Sequence, residues 1–410
     1  MKEIIELSDT LYAASRSIRI LRNISWNPKV ADQFFADKEQ KLPKVEYPKV
    51  DVSETLSLLK KANRLVPKDK LVRAWAEEII RDLDEGANLL LNLGTKKFYY
   101  HSDQLYGSPK SPLMDGESTS LDLANHFEGM YEHLDGLDLG APPDACILAG
   151  EVVAKISQAV NTFFGEKAPK VYIDSELASN AIAGRTRIRI RDTACFSDKD
   201  IDQLIHHEAY IHVATSINGK NQDKLKILSA AHPGTTKTQE GLAVFAEFIT
   251  GTIDLDRLRR LSDRILAIQM AVDGADFMEV YRYYLGQTDS KDQAFESTRR
   301  VFRGGVLTGG APFTKDIVYL DGLIRVHNFL RIMVAQGRAD LMGLLFIGKL
   351  DIEDIPVMSM FKKEGLISPP EFLPPWMQDT RFLLTYLSYS SFLNSVKLTK
   401  IKEHYKKMLS

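Results

Sequence analysis

Cysteine is nearly absent from this 410-residue sequence, which holds only Cys146 and Cys195. The two stand far apart and match no metal-binding or redox spacing. They are read as buried thiols, which goes with a reducing, intracellular setting and an expected cytoplasmic location. An excess of charge of one sign is also missing, because 53 basic residues face 55 acidic ones for a formal net charge of -2. Nothing global therefore argues for nucleic-acid or membrane binding, and neither is expected as a partner. No apolar stretch is long enough to span a bilayer. The opening residues, MKEIIELSDTLYAAS, are amphipathic, and Glu3, Glu6 and Asp9 interrupt any signal-peptide core. Internal repeats and low-complexity tracts are absent.

What remains is the composition of an ordinary soluble protein, 44% hydrophobic and 26% charged. That is ample core material for one large domain or two. Apolar positions recur at three- and four-residue spacing over 52–64, 68–93, 120–138 and 145–164. Asp51 or Ser53 is placed to cap the first of these and Asp144 the last. Beyond about 197 the helical pattern is nearly unbroken. Residues 37–51, 107–119 and 368–376 read as connections, rich in Pro, Lys or Gly. Strand patterns are few: KVYID over 170–174, and RTRIRIR over 185–191. In the second, Arg185, Arg187, Arg189 and Arg191 take one face and Thr186, Ile188 and Ile190 the other. A helix beginning near Ser197 follows, with Asp200 completing a capping box.

That helix carries LIHHEAYIHVAT, in which His207-Glu208 is followed by three residues and then His212. The usual zinc-peptidase spacing has two intervening residues, which puts both histidines on one helical face beside a glutamate base. With three, an ordinary α-helix sets the imidazoles about 140° apart. Shared metal binding then demands a π-bulge or a local bend. A catalytic zinc takes three protein ligands and keeps a position open. The best third ligand is Glu240, at the start of TKTQEGLAVFAEF. Gly241 beside it permits close backbone approach, and Glu247 one heptad on is placed to orient a ligand histidine. Two histidines on one helix and a glutamate on the next form the gluzincin arrangement.

The pairing of HHEAYIH with QEGLA (Gln239 to Ala243) closely resembles the QEGLA-motif family. Its bacterial members are described as flavohemoglobin expression-modulating proteins, and its eukaryotic members include the microtubule-associated tyrosine carboxypeptidases. RVFRGG (300–305) and FTKDIVYLDG (313–322) look like further family segments. The resemblance implies a zinc-dependent peptidase with His207, His212 and Glu240 as ligands and Glu208 as general base. It does not carry over a substrate.

For the donor that stabilises the reacting oxyanion, Tyr319, then Tyr283, then His232 are the candidates. A carboxypeptidase must also hold a terminal carboxylate, for which Arg303 and Lys315 are the best placed cations. The arginine strand, through Arg187 and Arg189, is expected to edge the cleft and attract an acidic peptide, against the alternative that it only protects a sheet edge. The basic tail SVKLTKIKEHYKKMLS is read as a solvated terminal helix, with an acidic partner or a membrane surface as the lesser alternatives. The expected fold is mainly α with a small β-sheet (α+β) around a gluzincin-like zinc peptidase core. It divides into an N-terminal helical region, 1–140, and a catalytic region, 141–410, unless the two form one continuous domain. The expected function is a zinc carboxypeptidase acting on acidic C-terminal tails. The alternatives are a zinc endopeptidase or aminopeptidase, and a non-enzymatic regulator with a structural metal.

Overall fold

The structure, a computed structural model, describes residues 1–134, 146–175, 177, 180–288 and 290–409. The expected boundary at 140 and the expected cap at Asp144 lie outside these residues. Helices dominate, and their limits follow the apolar spacing. The longest, Lys70–Leu91, buries Val72, Trp75, Ile79 and Leu83 along one face. Its N-terminus is capped by Asp69, whose carboxylate accepts from the amides of Leu71 and Val72. One large hydrophobic cluster joins Leu7 and Leu11 of the first helix, Lys2–Ser15, to residues as distant as Leu383 and Leu387. A second gathers Trp26 and Phe34 against Phe277, Tyr281 and Phe295.

Among the described residues the strands form one three-stranded sheet. It consists of β1 (Lys170–Asp174), β2 (Ala181–Gly184) and β3 (Arg187–Arg191), in the order β1-β3-β2. β1 runs parallel to β3 with Val171 opposite Ile188, and β2 runs antiparallel with Ala183 opposite Ile188. Ile188 and Ile190 are buried against Val152, Ile156 and Val160 of the helix Ala149–Phe164, and against Ala209 and Val213 of the helix that follows the sheet. Each such isoleucine contributes roughly 1.5–3 kcal/mol of burial. This contact is what fixes the sheet to the histidine-bearing helix.

Two expectations need correction. The arginine strand is not an edge: β3 is paired on both sides, so it cannot add a peptide strand, and among the described residues β1 and β2 are the outer strands. Alternation shows which face a strand buries but is silent about its neighbours, and AIAG was too short and mixed to register as a strand. The cysteines are not free thiols either, because Cys146 and Cys195 form a disulfide with their Cα atoms 4.7 Å apart. The next residues of each explain it. Ile147 and Phe196 make a two-way antiparallel backbone bridge, which holds the two cysteine-bearing segments together across a separation of 49 residues. The cysteine argument for a reducing compartment falls with it. No described helix is long and apolar enough to cross a membrane.

Candidate metal centre

The histidine helix starts at a complete capping box. Ser197 accepts from the Asp200 amide, and the Asp200 carboxylate accepts from the Ser197 amide. It runs as α-helix over Asp198–Leu204, as π-helix over Ile205–Val213, and as α-helix again over Ala214–Lys220. The extra residue between the histidines is absorbed by this π segment. His207 and His212 thereby face the same side, with ring centroids 5.0 Å apart.

Glu240 comes from the helix Thr236–Ile249, here called the glutamate helix. One carboxylate oxygen, Oε2, lies 3.7 Å from His207 Nε2 and 3.6 Å from His212 Nε2. The three donor atoms all fall within 4.8 Å of one another. The other oxygen, Oε1, accepts from Lys315 Nζ at 2.6 Å. Each oxygen thus has a separate task, and only Oε2 is turned toward the imidazoles. Burial would raise the Glu240 carboxyl, but Lys315 and the two histidines hold it well below the usual range. Glu208 Oε1 stands 4.0 Å from His207 Nε2, beside the same convergence point.

Behind His207 runs a second row of contacts. His207 Nδ1 donates to Glu247 Oε1 at 2.6 Å, which leaves Nε2 as the nitrogen facing Glu240. Glu247 is fully buried and receives both Nε and a terminal nitrogen of Arg257 at 3.0 Å. Burial alone would raise Glu247, yet Arg257 and His207 hold it at about 2. Burial likewise works against a charged His207, but Glu240 and Glu247 outweigh it and lift its pKa to about 10. A cation entering here must displace that proton, so metal uptake is coupled to proton release.

Lys349 ties the two ligand helices together from the other side. Its ammonium donates to the His212 carbonyl at 3.1 Å, to Thr215 Oγ1 at 2.9 Å and to Gln239 Oε1 at 2.8 Å. All three of its protons are used, and it is buried.

The remaining expected residues are spread more widely. Tyr319, on the helix Val318–Ala335, is joined to the cluster because its hydroxyl accepts from Lys315 Nζ at 3.1 Å. Tyr283 instead donates to Asp263 at 2.8 Å, and His232 is buried beside Gly234 near Asp82. Lys315, expected to meet substrate, is spent on Glu240 and Tyr319. Arg303 lies over the Phe313 ring, and its Nε is buried without a partner. Burial, with Arg300 next to it, pushes Arg303 down to about 10. Arg300 is paired bidentately with Asp316, while Arg264 stacks on Tyr319 and reaches Asp316 only at 3.9 Å. Two guanidinium groups, those of Arg300 and Arg264, therefore share one carboxylate beside Tyr319. Arg189 is paired with Asp174, and Arg187 is exposed.

Sequence reasoning missed Arg257, Arg264, Arg300 and Lys349. Lys349 left a signal, a lone lysine in the apolar run LLFIGKL, where a buried ammonium needs partners. Arg300 opens the RVFRGG segment already singled out, whereas Arg257 and Arg264 left no signal in their charged helix.

Two imidazole nitrogens and one carboxylate oxygen, with His207 backed by Glu247 and Glu240 by Lys315, form a group that could hold a metal ion. A search of curated proteins finds no match to this chain. A family model described as microtubule-associated tyrosine carboxypeptidase, however, matches residues 32–395, which take in both ligand helices, Lys315 and Tyr319. By that match the chain belongs to the microtubule-associated tyrosine carboxypeptidase family.

Proposed function

We propose that the chain is a zinc-dependent carboxypeptidase of gluzincin-like design, which removes C-terminal residues from acidic protein tails. The observation that carries this is the convergence of His207, His212 and Glu240 through a π segment, with Glu208 beside them. Bound zinc supplies Lewis-acid polarisation of the scissile carbonyl and a water acidified toward neutral pH. Glu208 takes the proton from the attacking water and delivers it to the departing amine. Tyr319, held by Lys315, donates its hydroxyl hydrogen to the oxygen that gains negative charge. The guanidinium groups of Arg303, whose Nε is buried without a partner, and Arg264, which reaches Asp316 only at 3.9 Å, receive the terminal carboxylate. Exposed Arg185 and Arg187, beside the sheet that packs on the histidine helix, favour an acidic tail. A structural-metal reading accounts for the three ligands but gives Glu208 no task.

Metal analysis and a peptide assay test this together. Zinc is expected at one ion per chain in the wild type and lost in Glu240→Ala. Glu208→Gln is expected to keep the metal and lose about 10²–10⁴-fold in turnover of acidic peptides. Full activity in Glu208→Gln removes the mechanism, and zinc retained in Glu240→Ala removes the ligand assignment.

A further inference from the structure

The last two helices, Arg381–Leu393 and Leu398–Leu409, expose apolar side chains away from the metal centre. The first turns Leu383 and Leu387 inward and leaves Phe382, Tyr389 and Phe392 at 64%, 61% and 66% exposure. The second buries nothing at all. Its apolar residues, Leu398, Ile401, Tyr405, Met408 and Leu409, project within an arc of about 100° when laid out at the α-helical turn. The rest of the circumference carries Lys400, Lys402, Lys406 and Lys407, with Lys397 just before the helix. The one acid, Glu403, falls roughly opposite the middle of the apolar arc.

Charge is divided unevenly over the molecule. From Lys397 to Leu409, five lysines against one glutamate give +4 with histidine neutral. The whole chain carries -2, so the remainder carries -6. An anionic surface therefore attracts this end and repels the rest, which orients the molecule as well as binding it. The family match ends at residue 395, so the helix lies beyond the part of the chain that holds the metal centre.

We propose that Leu398–Leu409 is an interfacial helix that docks on an anionic phospholipid bilayer. Its apolar arc enters the headgroup boundary, its lysines lie level with the phosphates, and Glu403 points to water. Phe382 and Phe392 of the preceding helix extend the contact. Several features select a bilayer over a protein groove: none of the helix's described side chains is buried, lysines lie on either side of the apolar arc, and Glu403 is turned away from it. The inference is independent of the metal centre.

The test is co-sedimentation of the full chain with vesicles of equal parts phosphatidylserine and phosphatidylcholine, and with phosphatidylcholine alone. Binding is expected to the mixed vesicles, weakened by added salt. The double variant Ile401→Asp/Met408→Asp is expected to lose about tenfold or more of that binding. Its thermal unfolding and metal content should match the wild type, since no buried side chain changes. Binding that ignores phosphatidylserine, or that survives in the double variant, overturns the proposal. So does capture by poly-glutamate through the same residues without vesicle binding, which would assign the helix to an acidic protein instead.

Discussion

At the residue scale the candidate site is a set of charges arranged in pairs. Glu247 has no solvent to turn to, and it serves both His207 and Arg257. Replacing it as Glu247→Gln leaves Arg257 buried with a neutral partner and frees the His207 ring to change tautomer. Zinc affinity, read by competition with a chromogenic chelator, is expected to fall roughly 10–100-fold. An unchanged affinity would mean that His207 is held by packing alone. The convergence of His207, His212 and Glu240 was legible, because the spacing of His207, Glu208 and His212 demanded a helix distortion and Glu240 stood near the start of the next helix. The role of Lys315 was not. Its position marked a cation near the site, but only the fold shows that its ammonium meets Glu240 Oε1 and not the solvent.

At the element scale, the glutamate helix and the helix Val318–Ala335 lie backbone to backbone. A Cβ added at Gly241 would stand 2.3 Å from the Gly322 carbonyl, and one added at Gly322 would stand 2.3 Å from the Lys237 carbonyl. This crossing brings Glu240, Lys315 and Tyr319 into one network. Gly322→Ala is expected to push the helices apart, cost about 1–3 kcal/mol of stability, and lower zinc affinity as well. Denaturant titration with and without zinc separates the two effects; a variant as stable and as tightly loaded as the wild type refutes the crossing. The close approach was foreseen for Gly241, which sits inside a motif. Its partner, 81 positions away by numbering, could not be found without the fold. The helices, β1, and the capping box at Ser197 were legible for the same reason: each depends on residues within a few positions of one another. The order of the strands and the pairing of the cysteines depend on long-range contacts, and there local reasoning failed.

At the scale of the whole molecule, acidic groups outside the candidate ligand set govern a pH dependence of stability. Burial raises Asp82 to about 6, and burial with the neighbouring Asp351 raises Asp354 well above its ordinary value. The folded state thus binds protons more tightly than the unfolded chain here, so this contribution to stability is present at low pH and is lost as pH rises from near 4 through 6. Asp82→Asn removes one such charge. It is expected to raise stability at pH 7.5 by on the order of 2 kcal/mol and to change little at pH 4. Urea midpoints at the two pH values decide it, and an equal change at both would mean that Asp82 is not a raised carboxyl. The carboxylates of Glu247 and Asp316, both lowered against the pull of burial, act in the opposite sense below these values. The disulfide adds a constraint of another kind. Cys195 lies two residues before Ser197, so the covalent link anchors the very end of the histidine helix. Purification chemistry therefore bears on metal loading. Dithiothreitol chelates zinc and also severs that anchor, whereas a phosphine reductant only severs it. Protein prepared in each, and in neither, would differ in zinc content for reasons that have nothing to do with the ligands themselves.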